Sequence, residues 1–349
     1  MQQPKFGKAP HGKRLELIKQ SPHYNNAKDV FENIHHTPTL TEGYSMLDVL
    51  SNQFFKSHPD QIPTESIPSV KTNLKALDLN NDILVWFGHS SYLLQIEGIR
   101  FLIDPVFSGN ASPIPESVKA FKGSNIYTVE DMPNIDYLLI SHDHYDHLDY
   151  KTIIGLKDKV KQVICGLGVG SHFEYWGYNP DIITEKDWYE TIALKNNIII
   201  HTTPARHFSG RTFKRNNTLW QSYVLETPSK KLFLGGDSGY DSHFKAIGDK
   251  FGPFDLAIME NGQYNKAWEA IHTLPEQVLK AATDLKAKRI FPVHSSKFVL
   301  ALHPWNEPLN EVFRISKNYN IPLVTPIIGE KVMLNDSTQI FDTWWKDVK

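Results

Sequence analysis

Cysteine is almost missing from this chain: Cys165 stands alone among 349 residues. One thiol excludes an internal disulfide and any zinc site built on cysteine. Long apolar runs are missing too. Nowhere do about 18 apolar residues follow one another, so no transmembrane helix is expected. The opening "MQQPKFGKAPHGKRLELIKQ" has no apolar core of the kind a secretion signal needs, and a cytoplasmic protein is the expectation. An excess of charge of one sign is also lacking. Lys and Arg number 37 against 39 Asp and Glu, a net charge of −2, and with no basic run in sight nucleic acid is not expected as a partner. No short repeat points to a solenoid. What is there is a chain 40% hydrophobic and 12% aromatic, enough for a large core in one domain with an extension or in two domains.

The first eighty residues differ from the rest. "SPHYNN", "NIHHTPTL" and "HPDQIPTESIPSV" read as irregular segments around one short helix, "YSMLDVLSNQFF". Residues 1–80 are therefore expected to be an N-terminal arm, and 81–349 the main domain. From Asp82 the runs "DILVWFG", "SYLLQIEG" and "IRFLIDP" follow closely, punctuated by Gly and Pro as in an antiparallel meander. A helix is expected from about Tyr150, then the strand "KQVICGL", the helix "GSHFEYWG" and the strands "DIITE", "YETIAL" and "NIIIHTTP". The second half runs "LWQSYVLET", "KKLFLGGD", "FDLAIME", the helix "PEQVLKAATDLKAK" with Pro275 in its first turn, the strand "RIFPVH" and a last helix around "EPLNEVFRISKNYN". Two successive halves, strands then helices, imply an α/β fold in which two sheets pack together with helices outside, a four-layer αββα sandwich.

Chemistry concentrates in "LLISHDHYDHLDY", where histidines and aspartates crowd directly behind an apolar strand. His142, His144, Asp146 and His147 should lie on the loop after that strand and the start of the next helix, and loops at strand ends are where sites are built. In an extended segment His142 and His144 point the same way, while Asp146 and His147 follow as the chain turns. Two ligand sets facing two adjacent metals become feasible, and imidazole with carboxylate is the ordinary ligand set of zinc and its neighbours. The same strand-end pattern offers His207 in "HTTPARHFSG", Asp237 in "FLGGDSG" and His294 in "FPVHSSK".

Together with "WFGHSSYLL", "FLIDPVFSGNASP", "TEKDWYE" and "KFGPFDLA", these blocks resemble the metallo-β-lactamase superfamily, and within it the branch of N-acylphosphatidylethanolamine-hydrolysing phospholipase D and its bacterial relatives. The likeness covers about Trp86 to Glu330. It implies the same αββα fold and two divalent metal ions, Zn2+ first and Mn2+ or Fe2+ as alternatives. One ion would be held by His142, His144 and His207, the other by Asp146, His147 and His294, with Asp237 bridging. A hydroxide shared by the metals would be the nucleophile on a phosphodiester, with Asp146 also catalytic as its orienting or proton-accepting group. His272, in "WEAIHTLPEQV", would donate to substrate or leaving group without binding metal.

The chain departs from the phospholipase pattern at "MENGQYNKAW" and "HSSKF", on loops that shape a substrate pocket. Glu260, Gln263 and Tyr264 are candidate substrate contacts there, and a buried Glu260 paired internally is the alternative for that residue. The substrate expected is a small-molecule or lipid-like ester, and a lactonase working on a cyclic ester is the rival reading. Arg206, Arg211 and Lys297 are the basic residues that would favour a phosphorylated or acidic substrate. A diiron, flavin-linked oxygen-reducing protein of this fold is not expected, because His144 stands where such a protein has Glu. The aromatic pieces "FEYWGY" and "DTWWK" read as core or tail packing, and a homo-oligomer stays open.

Overall fold

Four consecutive buried residues, Ile83–Trp86, start the first sheet as β3. They follow a short N-terminal helix, α1 (Lys13–Ile18), and a two-stranded hairpin, β1 (Tyr24–Asn25) and β2 (Val30–Phe31). The protein is seen here as a computed structural model, which describes residues 3–45, 47, 49, 51 and 58–349. Most of the helix expected over "YSMLDVLSNQFF" lies outside the described residues.

The expected meander is present: β3, β4 (Tyr92–Ile96) and β5 (Ile99–Ile103) pair antiparallel, Leu84 opposite Leu94 and Leu94 opposite Phe101. Parallel strands extend this sheet through β6 (Ile135–Ile140), β7 (Val160–Gly166) and β8 (Ile183–Lys186). Their crossovers carry α2 (Tyr150–Leu156) and α3 (Gly170–Tyr175). The second sheet comprises β9 (Thr191–Ala193), β10 (Ile199–Thr203), β11 (Ser222–Glu226), β12 (Lys231–Leu234), β13 (Leu256–Glu260) and β14 (Ile290–Val293), with α4 (His243–Phe251), α5 (Pro275–Asp284) and α6 (Glu307–Tyr319). Finally β15 (Lys331–Met333) returns to the first sheet and pairs antiparallel with β3.

Three apolar clusters make the four layers. The largest lies between the sheets and joins Leu84, Leu94, Phe101 and Leu139 to Tyr223, Leu234, Ile258 and Phe291. A second packs the outer face of the first sheet on α2 and α3 through Leu138, Val163, Ile153 and Phe173. The third packs the second sheet on α4, α5 and α6 through Phe233, Ile247, Leu279 and Val312. A fully buried strand reads as a continuous apolar run, which is why β6 and β13 are visible in the sequence.

Five elements go beyond the sequence reading: α1, β1 and β2 in the arm, and α4 and β15 in the sandwich. α4 seats its Gly248 so close to α5 that a Cβ there would lie 1.9 Å from the Asp284 carbonyl oxygen, a tertiary fit that leaves no periodic signature. β15 has three residues and takes its structure from pairing with β3. Among the described residues no helix is long and apolar enough to cross a membrane.

Candidate metal centre

β3, β5 and β6 of one sheet and β10, β12, β13 and β14 of the other all run towards the same end of the sandwich. The residues that follow each strand therefore meet there. These are His89, Asp104, the 142–147 loop, His207, Asp237, His272 and His294. α2 begins only at Tyr150, with the Asp149 side chain accepting from the Lys151 N–H as its cap. Contrary to expectation, then, none of His142, His144, Asp146 and His147 belongs to the helix. His89, Asp104, Gln263 and His294 have φ between 41 and 68°, a region that residues with a Cβ seldom adopt and that accumulates at functional sites.

The first group is His142, His144 and His207. His144 Nδ1 lies 2.9 Å from His142 Nε2 and 3.2 Å from His207 Nε2. Ring partners behind the site set the tautomers. His207 Nδ1 donates to the Ile271 carbonyl. The Ser141 hydroxyl donates to Asp104, so it accepts from His142 Nδ1. Nε2 of both rings is left bare. Burial first of all holds all three imidazoles below their usual pKa. Three neutral nitrogens facing one another at about 3 Å suit a cation between them, since two ligands each about 2.1 Å from zinc in a tetrahedron are about 3.4 Å apart.

The second group is Asp146, His147 and His294. His147 donates through Nδ1 to Asp104 and presents Nε2, 3.4 Å from Asp146 Oδ2 and 3.2 Å from Asp237 Oδ2. His294 Nε2 lies 3.4 and 3.1 Å from the same two oxygens. Burial works against charge on His294, but Asp237 and Asp146 outweigh it and hold the ring at about 10. His147 is raised in the same way. Asp237 Oδ2 also lies 3.8 Å from His142 Nε2 and 3.8 Å from His207 Nε2, so it stands between the two groups. Its Oδ1 is buried without a hydrogen-bond partner, as is His147 Nε2. Donors orphaned in a dry site are what a bound metal would satisfy, so the residues fit such an ion.

Sequence comparison agrees with this chemistry. A family model described as a beta-lactamase superfamily domain matches residues 99–295. The chain belongs to the metallo-β-lactamase superfamily. An uncharacterized protein of Mycobacterium tuberculosis is 34% identical over 334 residues, covering 95% of this chain and 89% of the relative. N-acyl-phosphatidylethanolamine-hydrolyzing phospholipase D 1 of Caenorhabditis elegans is 31% identical over 243 residues, 64% of this chain and 67% of that one. A metallo hydrolase of the archaeon Ignicoccus hospitalis shares the fold, with a TM-score of 0.55 at 19% identity over 72% of this chain and 97% of the other. This superfamily member is thus a metal-dependent hydrolase with a buried His/Asp cluster able to bind metal.

The remaining expected residues are placed as follows. His272 lines the 290 Å³ metal cavity, its Nδ1 held 2.8 Å from Glu260 Oε2. Glu260 is buried and also accepts from the Thr273 N–H, so it is paired internally. Gln263 borders the cavity, but its amide is spent on Leu300 N, Ala301 N and the Phe298 carbonyl. Tyr264 is not brought there. Its hydroxyl donates to Glu307 and its ring stacks on His303. Nor do Arg206, Arg211 and Lys297 reach the cavity. Each is spent on backbone carbonyls: Arg206 on Tyr240 and His36, Arg211 on Asp143, Leu148 and Lys5, Lys297 on Phe87 and Val106. Among the described residues the arginine at the cavity is Arg215, which the sequence reading does not single out.

His89 and Asp104 are also absent from that reading. His89 is fully buried, bonds Asp146 Oδ2 at 2.9 Å and packs against His294 with the rings tilted by 43°, and burial pushes its pKa down to about 3. Asp104 accepts from Ser141 N, Ser141 Oγ and His147 Nδ1. The signal is in the sequence: "VWFGH" and "FLID" follow the strand-end pattern that points to His207 and His294.

Proposed function

We propose that this hydrolase is a dinuclear zinc phosphodiesterase whose substrate carries an apolar chain. The reading is carried by one junction. Phe208 and Arg215 line the metal cavity and also a neighbouring groove of about 780 Å³ whose walls include Phe6, Pro113, Ile114 and Phe213. A guanidinium lining the cavity suits a phosphodiester anion, and the groove suits an acyl or alkyl chain, while the phospholipase D relative supports the same bond class.

His142, His144 and His207 would hold one zinc and Asp146, His147 and His294 the other, with Asp237 shared. When bound, the pair supplies Lewis acidity and water activated near neutral pH. The chain's own residues do the rest. Arg215 holds the phosphodiester at the junction. Glu260 accepts from the His272 Nδ1–H, so that the doubly protonated ring would give its Nε2 proton to the departing oxygen and be left neutral. Asp146, held by His89, orients the attacking water and accepts from it.

The test is metal content per chain after purification without added metal, paired with hydrolysis of bis(p-nitrophenyl) phosphate, long- and short-chain phosphodiesters and a simple lactone, before and after chelation. Two metals and chelator-sensitive phosphodiester cleavage that favours the long chain support the reading. Lactone cleavage alone replaces it with the lactonase. A chain that neither carries nor takes up metal overturns both.

A further inference from the structure

The N-terminal arm crosses the mouth of the metal cavity and is pinned on both sides of it. On one side Asn33 grips the backbone of His207 twice: its Nδ2 donates to the His207 carbonyl at 2.8 Å, and its Oδ1 accepts from the His207 N–H at 3.1 Å. That Oδ1 also accepts from Trp220 Nε1, which fixes which way the amide faces. Next to it, Arg206 donates to Thr37 Oγ1 and the His36 carbonyl. On the other side Thr41 N donates to the Ala267 carbonyl, and Thr39 and Leu40 between these anchors line the cavity with Trp268 and His272.

His207 differs from its partners in one respect. His142 and His144 share a short loop and keep their spacing through it, whereas His207 arrives from the other sheet. Its distance from them depends on where the backbone at 207 is held. The sandwich holds the neighbouring backbone, through Ser238 at Arg206 N and Asp143 at Gly210 N, and among the described residues the bonds to the backbone of His207 itself are the two from Asn33.

We propose that Asn33 is a positioning residue for His207, so that the arm is a working part of the metal centre. The proposal rests on His207 being a metal ligand. Supports behind a ligand typically contribute 10–100-fold to metal affinity, and Asn33 should act in that range.

The experiment measures zinc affinity by chelator competition and the visible absorption of the Co2+-loaded protein, on the full chain carrying Asn33→Ala, Asn33→Asp, His35→Ala or His207→Ala. Asn33→Asp keeps the volume and both accepted bonds but turns the donation to the His207 carbonyl into a repulsion between a charged oxygen and that carbonyl, so it carries the test if Asn33→Ala does not fold. His35→Ala cuts another anchor of the arm, the contact with Asp241, and leaves His207 alone. The expected result is a loss of roughly 10–100-fold in affinity with an altered Co2+ spectrum for both Asn33 variants, wild-type values for His35→Ala and a lost site for His207→Ala. If His207→Ala loses the site while both Asn33 variants bind as wild type, the proposal is overturned. It is overturned equally if His35→Ala weakens binding as much as Asn33→Ala, since the arm then acts as a whole. Wild-type affinity in His207→Ala overturns the ligand reading itself.

Discussion

Lys297 is a buried cation with no carboxylate in contact among the described residues. Its ammonium donates to the Phe87 and Val106 carbonyls at 2.9 Å each, and burial pushes its pKa down to about 7. The unfolded chain keeps the proton up to about 10.5. Below about pH 7 both states are charged and the cost of burying the ammonium is fully present. As pH rises from about 7 to about 10.5 the unfolded state binds more protons, so this cost is relieved and stability increases. Urea unfolding in excess chelator should show the wild-type stability, relative to Lys297→Met, rising with pH across that window. A flat difference would mean that Lys297 stays charged. The Glu260–His272 pair makes a second expectation at this scale. His272→Ala should keep its metal by elemental analysis and lower kcat by roughly 10²–10⁴. Glu260→Gln should cause a smaller loss, because the amide oxygen can still accept from His272 Nδ1. Metal loss in His272→Ala would remove it from the proton-transfer role.

The strand ends explain what the sequence could show at the scale of elements. Asp237 follows Gly235 and Gly236 at the end of β12, and a Cβ on Gly236 would lie 2.6 Å from the Gln221 carbonyl oxygen and 2.9 Å from Ser141 Cβ. Gly236→Ala should cost about 1–3 kcal/mol and shift Asp237, lowering both the unfolding temperature and the metal content. A variant with wild-type metal content would show that the loop can relax. β3 to β6 and β10 to β14 are legible because apolar runs between Gly and Pro leave few other structures. The clustering of His142 to His147, His207, Asp237 and His294 is legible because histidines and aspartates directly after such runs have little structural reason to be there. The destinations of Arg206, Arg211, Lys297 and Tyr264 are not. A long side chain can turn to the cavity or back to a carbonyl, and local sequence does not decide between them. The grip of Asn33 on His207 spans 174 residues, about half the chain, and leaves no pattern at either end.

Across the whole molecule the arm and the sandwich share buried surface. Ile18, Tyr24 and Phe31 pack on Trp188, Ala205, Leu219 and Trp220, and Arg14 pairs with Glu174 and Glu185 at 2.6 and 2.5 Å. We propose that residues 1–80 are a wrapped extension with no fold of their own. At roughly 1.5–3 kcal/mol for each buried apolar side chain, a chain lacking residues 1–32 should melt several degrees lower and bind an apolar dye through the uncovered tryptophans. An isolated 1–80 fragment with a cooperative melt would show the opposite.

The pairing of β15 with β3 has a consequence for synthesis. β3 leaves the ribosome roughly 250 residues before its edge partner, and at about 5–20 residues per second it waits on the order of 10–50 s with one row of peptide groups bare. The first sheet is thus completed only when the last segment emerges. Ribosomes stalled shortly before Lys331 should hold a nascent chain that chaperones recognise and that aggregates on release, although every side chain proposed to hold metal has already been made.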